Sequence, residues 1–285
     1  MDARLESWVS RGRHVDVGGR RVFVWERGEG PALLALHGFP SSSYDWRLVA
    51  DRLPERRFVA LDLPGFGLSD KSADADYSLM AQADVVEEVA GALGITSCDL
   101  VAHDMGDSVA AELLARVGDG TLGFAVDRAV LLNGSIFIEM AQLTSGQKLF
   151  LALPPRKLAF SPPVRVFRRQ IRRLFSPDHQ PSRAEIEMME LLLSRDGGAR
   201  LVPITIRYIE ERQQMAERWT AGLVDFKGDL SLIWGDLDPV AVPAIATRLT
   251  ELRRSTVEVR WSDVGHWPQL EVPERVAAEL KNLLP

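Results

Sequence analysis

The chain is short of several residue types, and each shortage removes a class of protein. Of 285 residues only Cys98 is a cysteine, which excludes a disulfide framework and any cysteine-rich metal site. No run approaches the ~18 consecutive apolar residues of a spanning helix. Basic residues are outnumbered, 34 against 40 acidic, for a formal charge of −6. That overall balance argues against nucleic acid or an anionic membrane as the main partner. Met1 to Gly19 is charged and holds no apolar stretch, so no secretory signal is expected and a soluble cytoplasmic protein is the base expectation. No phosphate or dinucleotide fingerprint follows a strand, and no metal-binding cluster stands out. No metal and no cofactor are expected. What remains is ordinary globular composition, 46% apolar and 26% charged, with enough length to bury a sizeable core.

The pattern along the chain is strand–helix alternation. His14–Val17, Gly18-Gly19 and Arg21–Trp25 read as a hairpin, within a first 35 residues that read as strands. Short apolar runs follow at Pro31–Leu36, Phe58–Asp62, Asp99–His103, Ala129–Asn133, Leu230–Trp234 and Val257–Trp261. Such runs suit strands buried on both faces of a parallel sheet. Helical spacing lies between them, at Trp46–Leu53, Leu79–Leu93, Ser108–Val117 and Val272–Leu284. The alternation stops between Ser135 and Thr220, where proline pairs punctuate three helical patterns, Val164–Phe175, Ser182–Leu193 and Leu201–Trp219. The expectation is one α/β domain formed by residues 1–134 and 221–285, with an all-helical insertion over 135–220. Within it, Arg165, Arg168, Arg169, Arg172 and Arg173 read as the wet face of an amphipathic helix.

One segment carries chemistry. In Leu100-Val-Ala-His-Asp104-Met-Gly-Asp-Ser108 a strand runs into a tight turn with small residues around a central reactive one. That is the spacing of a nucleophile elbow. The central side chain is thrust out at the top of the sheet, above a helix N-terminus with free N–H groups. Here it is Asp104, a carboxylate that can attack carbon without a base and form an ester that water must then break. Asp238, in Gly235-Asp-Leu-Asp-Pro, and His266, in Val264-Gly-His-Trp-Pro, follow late strands. The order nucleophile, acid, histidine is that of the α/β-hydrolase triad, with His266 as base and Asp238 orienting it. Asp236 is the rival for the acid role.

Together with His37-Gly-Phe-Pro40, Asp62-Leu-Pro-Gly-Phe-Gly-Leu-Ser69, Tyr44-Asp-Trp46 and Asn133-Gly134, these motifs resemble the epoxide hydrolase and haloalkane dehalogenase branch of the α/β-hydrolases. In motif form they are most similar to the mesoderm-specific transcript group and its bacterial relatives. The resemblance implies an α/β-hydrolase fold, with a mostly parallel eight-stranded sheet, helices on both faces and a helical cap over 135–220. It implies backbone oxyanion donors at Phe39 and Met105. It also implies a ring-opening acid on the cap, for which Tyr208 is the expected residue and His179 a second candidate. The expected function is hydrolysis of a small, largely apolar epoxide through an Asp104 ester, by a monomer or homodimer. Haloalkane dehalogenation and a non-catalytic binding role on the same fold are the alternatives. Met105 stands where dehalogenases carry a halide-binding tryptophan, and a thioether has no N–H to offer an anion. Asp107, one turn along, is expected to pair with a basic residue, and His103 to be a packed, hydrogen-bonded neighbour.

Overall fold

Residues 3–285 are described in this computed structural model, apart from the side chains of residues 3 and 164–166. Arg165 of the basic cluster therefore lies outside the described side chains. Helix α1 (Ala3–Arg11) opens the chain and corrects the expectation of strands from the start. Its Leu5 and Trp8 fall at helical spacing and are buried, Trp8 stacking on Trp25 at 4.5 Å between ring centroids. The hairpin β1 (Gly12–Val17) and β2 (Arg20–Arg27) follows as expected, then β3 (Ala32–Leu36), α2 (Arg47–Ala50), β4 (Arg57–Leu61), α3 (Leu79–Ala92), β5 (Ser97–His103), α4 (Met105–Asp119) and β6 (Ala125–Leu132). After β6 come the helices α5 (Ser145–Leu151), α6 (Val164–Arg172), α7 (Arg183–Ser194), α8 (Val202–Thr205), α9 (Tyr208–Gln214) and α10 (Ala216–Asp225). The chain then returns to β7 (Asp229–Gly235), α11 (Pro243–Leu252), β8 (Val257–Trp261), α12 (Pro268–Glu271) and α13 (Pro273–Leu283).

The eight strands form one sheet in the order β1-β2-β4-β3-β5-β6-β7-β8. β2 pairs antiparallel with β1 and β4, and all other neighbours are parallel. Parallel strands need crossover helices, which cover both faces and bury them. Two apolar clusters result, one on each face of the central strands. Leu34, Leu36, Leu100 and Ala102 point to one face, and Leu33, Ala35 and Val101 to the other. Buried Arg56 ties the ends of two strands by pairing with Asp99.

The expected helix over Leu201–Trp219 is in fact three short ones, α8, α9 and α10. The helical path is broken at Met215, with φ of −100° and ψ of 11°. That break frees α9 to pass over the elbow while α10 packs on α4. A Cβ on Gly222 would come within 2.8 Å of the Ala111 carbonyl, so the two helices touch backbone to backbone. The 220/221 division therefore falls inside a helix packed on the main layer.

Candidate active site

The elbow is formed where β5 meets α4. Asp104 has φ 51° and ψ −109°, a strained conformation for a residue with a side chain. Its N–H donates to the Leu132 carbonyl at 3.1 Å, tying the turn to β6. The turn is closed so tightly that a Cβ on Gly106 would lie 2.8 Å from the carbonyl oxygens of Leu36 and His37. Only glycine permits that approach.

The carboxylate of Asp104 is buried, and its Oδ2 accepts a hydrogen bond from the Phe39 N–H at 2.8 Å. The Phe39 N–H is thus directed at the Asp104 carboxylate. Met105 begins α4, so its N–H belongs to the first turn, where helical amides have no intrahelical partner. His37 shapes the Phe39 loop: its Nε2 accepts from the Leu63 N–H at 3.0 Å, and its Nδ1 donates to the Gly38 carbonyl at 2.8 Å. Burial lowers its pKa and keeps the ring neutral, which suits this one-donor, one-acceptor arrangement.

His266 is brought to the same place by the turn after β8. Its Nδ1 lies 2.7 Å from Asp238 Oδ2. Asp238 is held from every side: Oδ1 accepts from the N–H groups of Val240 at 2.7 Å and Ala241 at 3.0 Å, and Oδ2 from the Asn133 amide at 2.9 Å. Asn133 itself is locked to both the N–H and the carbonyl of Gly235. Burial alone would depress the His266 pKa, but the charges of Asp238, Asp104 and Glu271 and the bond to Asp238 outweigh it and lift it to about 9. Asp236 is turned away into an ion pair with Arg260.

His103 Nε2 contacts the His266 carbonyl at 2.7 Å. Burial, and the neighbouring His266, push its pKa well below the usual histidine range. It is therefore a neutral donor that fixes the His266 backbone. Asp107 is fully buried with no hydrogen-bond partner of normal geometry among the described residues. Burial drives its carboxyl well above the usual range, opposed by the Arg212 charge and backbone contacts at Leu132 and Gly134. The expected ion pair between Asp107 and a basic residue is therefore not formed among the described residues; Arg212 acts on it only through its charge.

Arg212 is the functional residue that the sequence does not single out. It stands on α9, is 1% exposed, and crosses to the elbow. Its Nη2 donates to the Asp104 carbonyl at 2.7 Å and its Nε to Ser108 Oγ at 2.6 Å, and Nη2 lies 3.9 Å from Asp104 Oδ1. One buried guanidinium therefore braces the strained turn and places a positive charge beside the carboxylate. Helical spacing marks it only as a polar residue in an amphipathic run, which is why it passes unnoticed.

A cavity of about 340 Å³ opens over Asp104 and His266. Its walls are largely apolar, among them Phe39, Phe150, Phe167, Leu174, Val202 and Val240. Tyr208 is not among the lining residues. It opens α9 beside the cavity, with its ring 5.4 Å from that of Phe39 and the Arg212 guanidinium 4.7 Å above it. Burial and the Asp104 charge raise its hydroxyl pKa, while Gln147, which does line the cavity, acts the other way. Gln147 Oε1 is occupied by the Thr144 N–H at 2.8 Å in a capping box, which leaves its Nε2 for other partners. Tyr208 thus stands beside Phe39 and Gln147, both of which line the cavity, within the field of the Asp104 charge. His179 is elsewhere, 3.3 Å from Asp263.

The family model for the alpha/beta hydrolase family matches residues 33–279. The chain is 40% identical over 282 residues to LipZ of Mycobacterium tuberculosis, covering 98% of each protein. It is 34% identical over 290 residues to the human mesoderm-specific transcript homolog protein, covering 96% of this chain and 85% of that one. It is 26% identical over 267 residues to epoxide hydrolase 3 of Xenopus tropicalis, covering 89% and 71%. With an eight-stranded sheet of this order and an elbow, acid and histidine at its strand ends, the chain belongs to the α/β-hydrolase family.

Proposed function

We propose that the protein hydrolyses epoxides to vicinal diols through an ester on Asp104, with residues 135–220 acting as the cap. The observation that carries the reading is one apolar cavity holding both an elbow carboxylate seated on an oxyanion donor and a histidine–aspartate couple. Similarity to a protein named epoxide hydrolase 3 supports it. In the first step Asp104 Oδ1 attacks a ring carbon. The ring C–O bond breaks, its electron pair stays on oxygen, and that oxygen takes a proton. In the second step water gives a proton to His266 and adds to the ester carbonyl carbon. The N–H groups of Phe39 and Met105 stabilise the oxyanion, an effect of ~3 kcal/mol per aimed donor. Collapse breaks the bond from the acyl carbon to the bridging oxygen, which takes the proton back from His266 and leaves with the diol; the regenerated Asp104 carboxyl then gives its proton to His266 and restores the starting state.

The first proton comes from His266 rather than Tyr208. With a pKa of about 9 it is an imidazolium at neutral pH, and it lines the cavity. Esterification removes the Asp104 charge, one of the supports that holds that proton. His266 therefore becomes a better acid as the alkoxide forms, and is left neutral to act as base in the second step. Among the described cavity residues the side-chain N–H groups, besides that of His266, are the amides of Gln147 and Gln170, and no tryptophan N–H is there to hold a departing halide.

A single turnover in ¹⁸O-water tests the covalent route. The label should enter Asp104, found by mass spectrometry of its peptide, and be absent from the diol. Label in the first-turnover diol refutes the ester. Neither adduct nor diol from the wild-type protein with any terminal epoxide between pH 6 and 9 favours the non-catalytic binding role.

A further inference from the structure

The charge of this chain is unevenly spread. Between Glu139 and Asp178 it carries eight Lys and Arg and no Asp or Glu, in a protein of net charge −6. This segment forms the outer wall of the cavity. Leu158, Pro163 and Phe167 line the inside, while Arg156, Arg169, Arg172 and Arg173 are exposed on the outside. Arg168 pairs with Glu190. The other four exposed arginines have no ion pair among the described residues, so their charge is uncompensated. The same segment holds the two most exposed large apolar residues of the described chain, Phe160 at 84% and Leu149 at 60%. Leu149 and Pro163 also line the cavity, so the cavity reaches the surface within this basic and apolar patch.

We infer that this face docks on an anionic lipid surface, with Phe160 and Leu149 inserted among the headgroups and the cavity mouth held toward the bilayer. Clustered basic residues around exposed apolar ones are the chemistry of an interfacial anchor. An acidic protein partner would match the charge but give Phe160 no apolar phase to enter, and it would block the mouth. The overall acidity of the chain orients the molecule, because the rest of its surface is repelled by the same lipid. Delivery of lipid-dissolved substrate through the mouth rests on the cavity being the substrate site. The docking itself does not, and is measured without turnover.

The test is co-sedimentation with vesicles of neutral phosphatidylcholine, with and without a third of phosphatidylserine. The protein should bind the anionic vesicles at least roughly tenfold more tightly than the neutral ones, and be released by high salt. Arg169→Glu/Arg172→Glu/Arg173→Glu should lose most of that binding. Insertion is read separately with Phe160→Cys carrying an environment-sensitive fluorophore. Cys98 is buried, with its thiol pushed up to about 12, so labelling is confined to position 160. Its emission should rise and shift to the blue on anionic vesicles. Equal binding to both vesicles, or charge-reversed protein that binds as well as the parent, overturns the inference. Salt-sensitive binding with the fluorophore still in water also overturns it, in favour of an acidic protein partner.

Discussion

Asp238→Asn isolates what sets the proton affinity of His266. The native pKa of about 9 against an ordinary 6.5 corresponds to roughly 3 kcal/mol at 1.36 kcal/mol per unit. That gain survives a burial penalty, so the carboxylates supply more than the net value. Asparagine can keep the bonds from the Val240 and Ala241 N–H groups through its oxygen. Its NH₂ group then faces the amide of Asn133 and Nδ1 of His266, donor against donor. The charge is gone and the remaining hydrogen bond favours the neutral ring, as a wrong tautomer. The His266 pKa should fall by about two units or more. The assay is the rate of Asp104 alkylation by excess terminal epoxide, quenched and read by intact mass between pH 6 and 10. Wild type should hold its rate up to about pH 9 and then decline, because the imidazolium is the donor. Asp238→Asn should begin to decline about two units lower, and its rate should approach wild type at the acid end. A wild-type rate that is flat through pH 10, or a variant with an unmoved limb, refutes His266 as the ring-opening acid.

The same shift has a stability consequence. A histidine whose folded pKa is raised stabilises fully below 6.5 and loses that contribution as pH rises through about 9. Urea unfolding should therefore show stability falling by up to roughly 3 kcal/mol between pH 6.5 and 10, with a flatter profile in Asp238→Asn. Arg212→Met removes the donors to the Asp104 carbonyl and Ser108 and leaves the buried carboxyls without their cation. It should cost ~3–5 kcal/mol in denaturant unfolding and slow alkylation even in the protein that remains folded; unchanged stability would show that the brace carries no energy. Tyr208→Phe should slow alkylation less than about tenfold, below the range for losing a positioned acid. A larger loss, measured by the same quenched reaction, would return the donor role to the tyrosine.

The strand runs and the elbow were legible in the sequence because both are local. A short apolar run ended by a polar residue, as in Phe58–Asp62 and Ala129–Asn133, describes a central strand buried on two faces. The small residues around Asp104 are required by the turn itself. The order Asp104, Asp238, His266 follows from motifs that each sit at a strand end. The N-terminal helix was misread because Leu5 and Trp8 gain their meaning from Trp25, which only the sheet brings near. Arg212 and Tyr208 show the same limit at the site. Both lie in one run with the spacing of a single helix, and the break at Met215 decides that α9 crosses the elbow. Whether a buried cation meets Asp104, and whether a tyrosine lines a cavity or stands beside it, depends on the crossing of elements more than a hundred residues apart. Local sequence fixes which groups are present and what each can do. Which of them face one another in a low-dielectric space, and so what charge each carries, is decided by long-range packing alone.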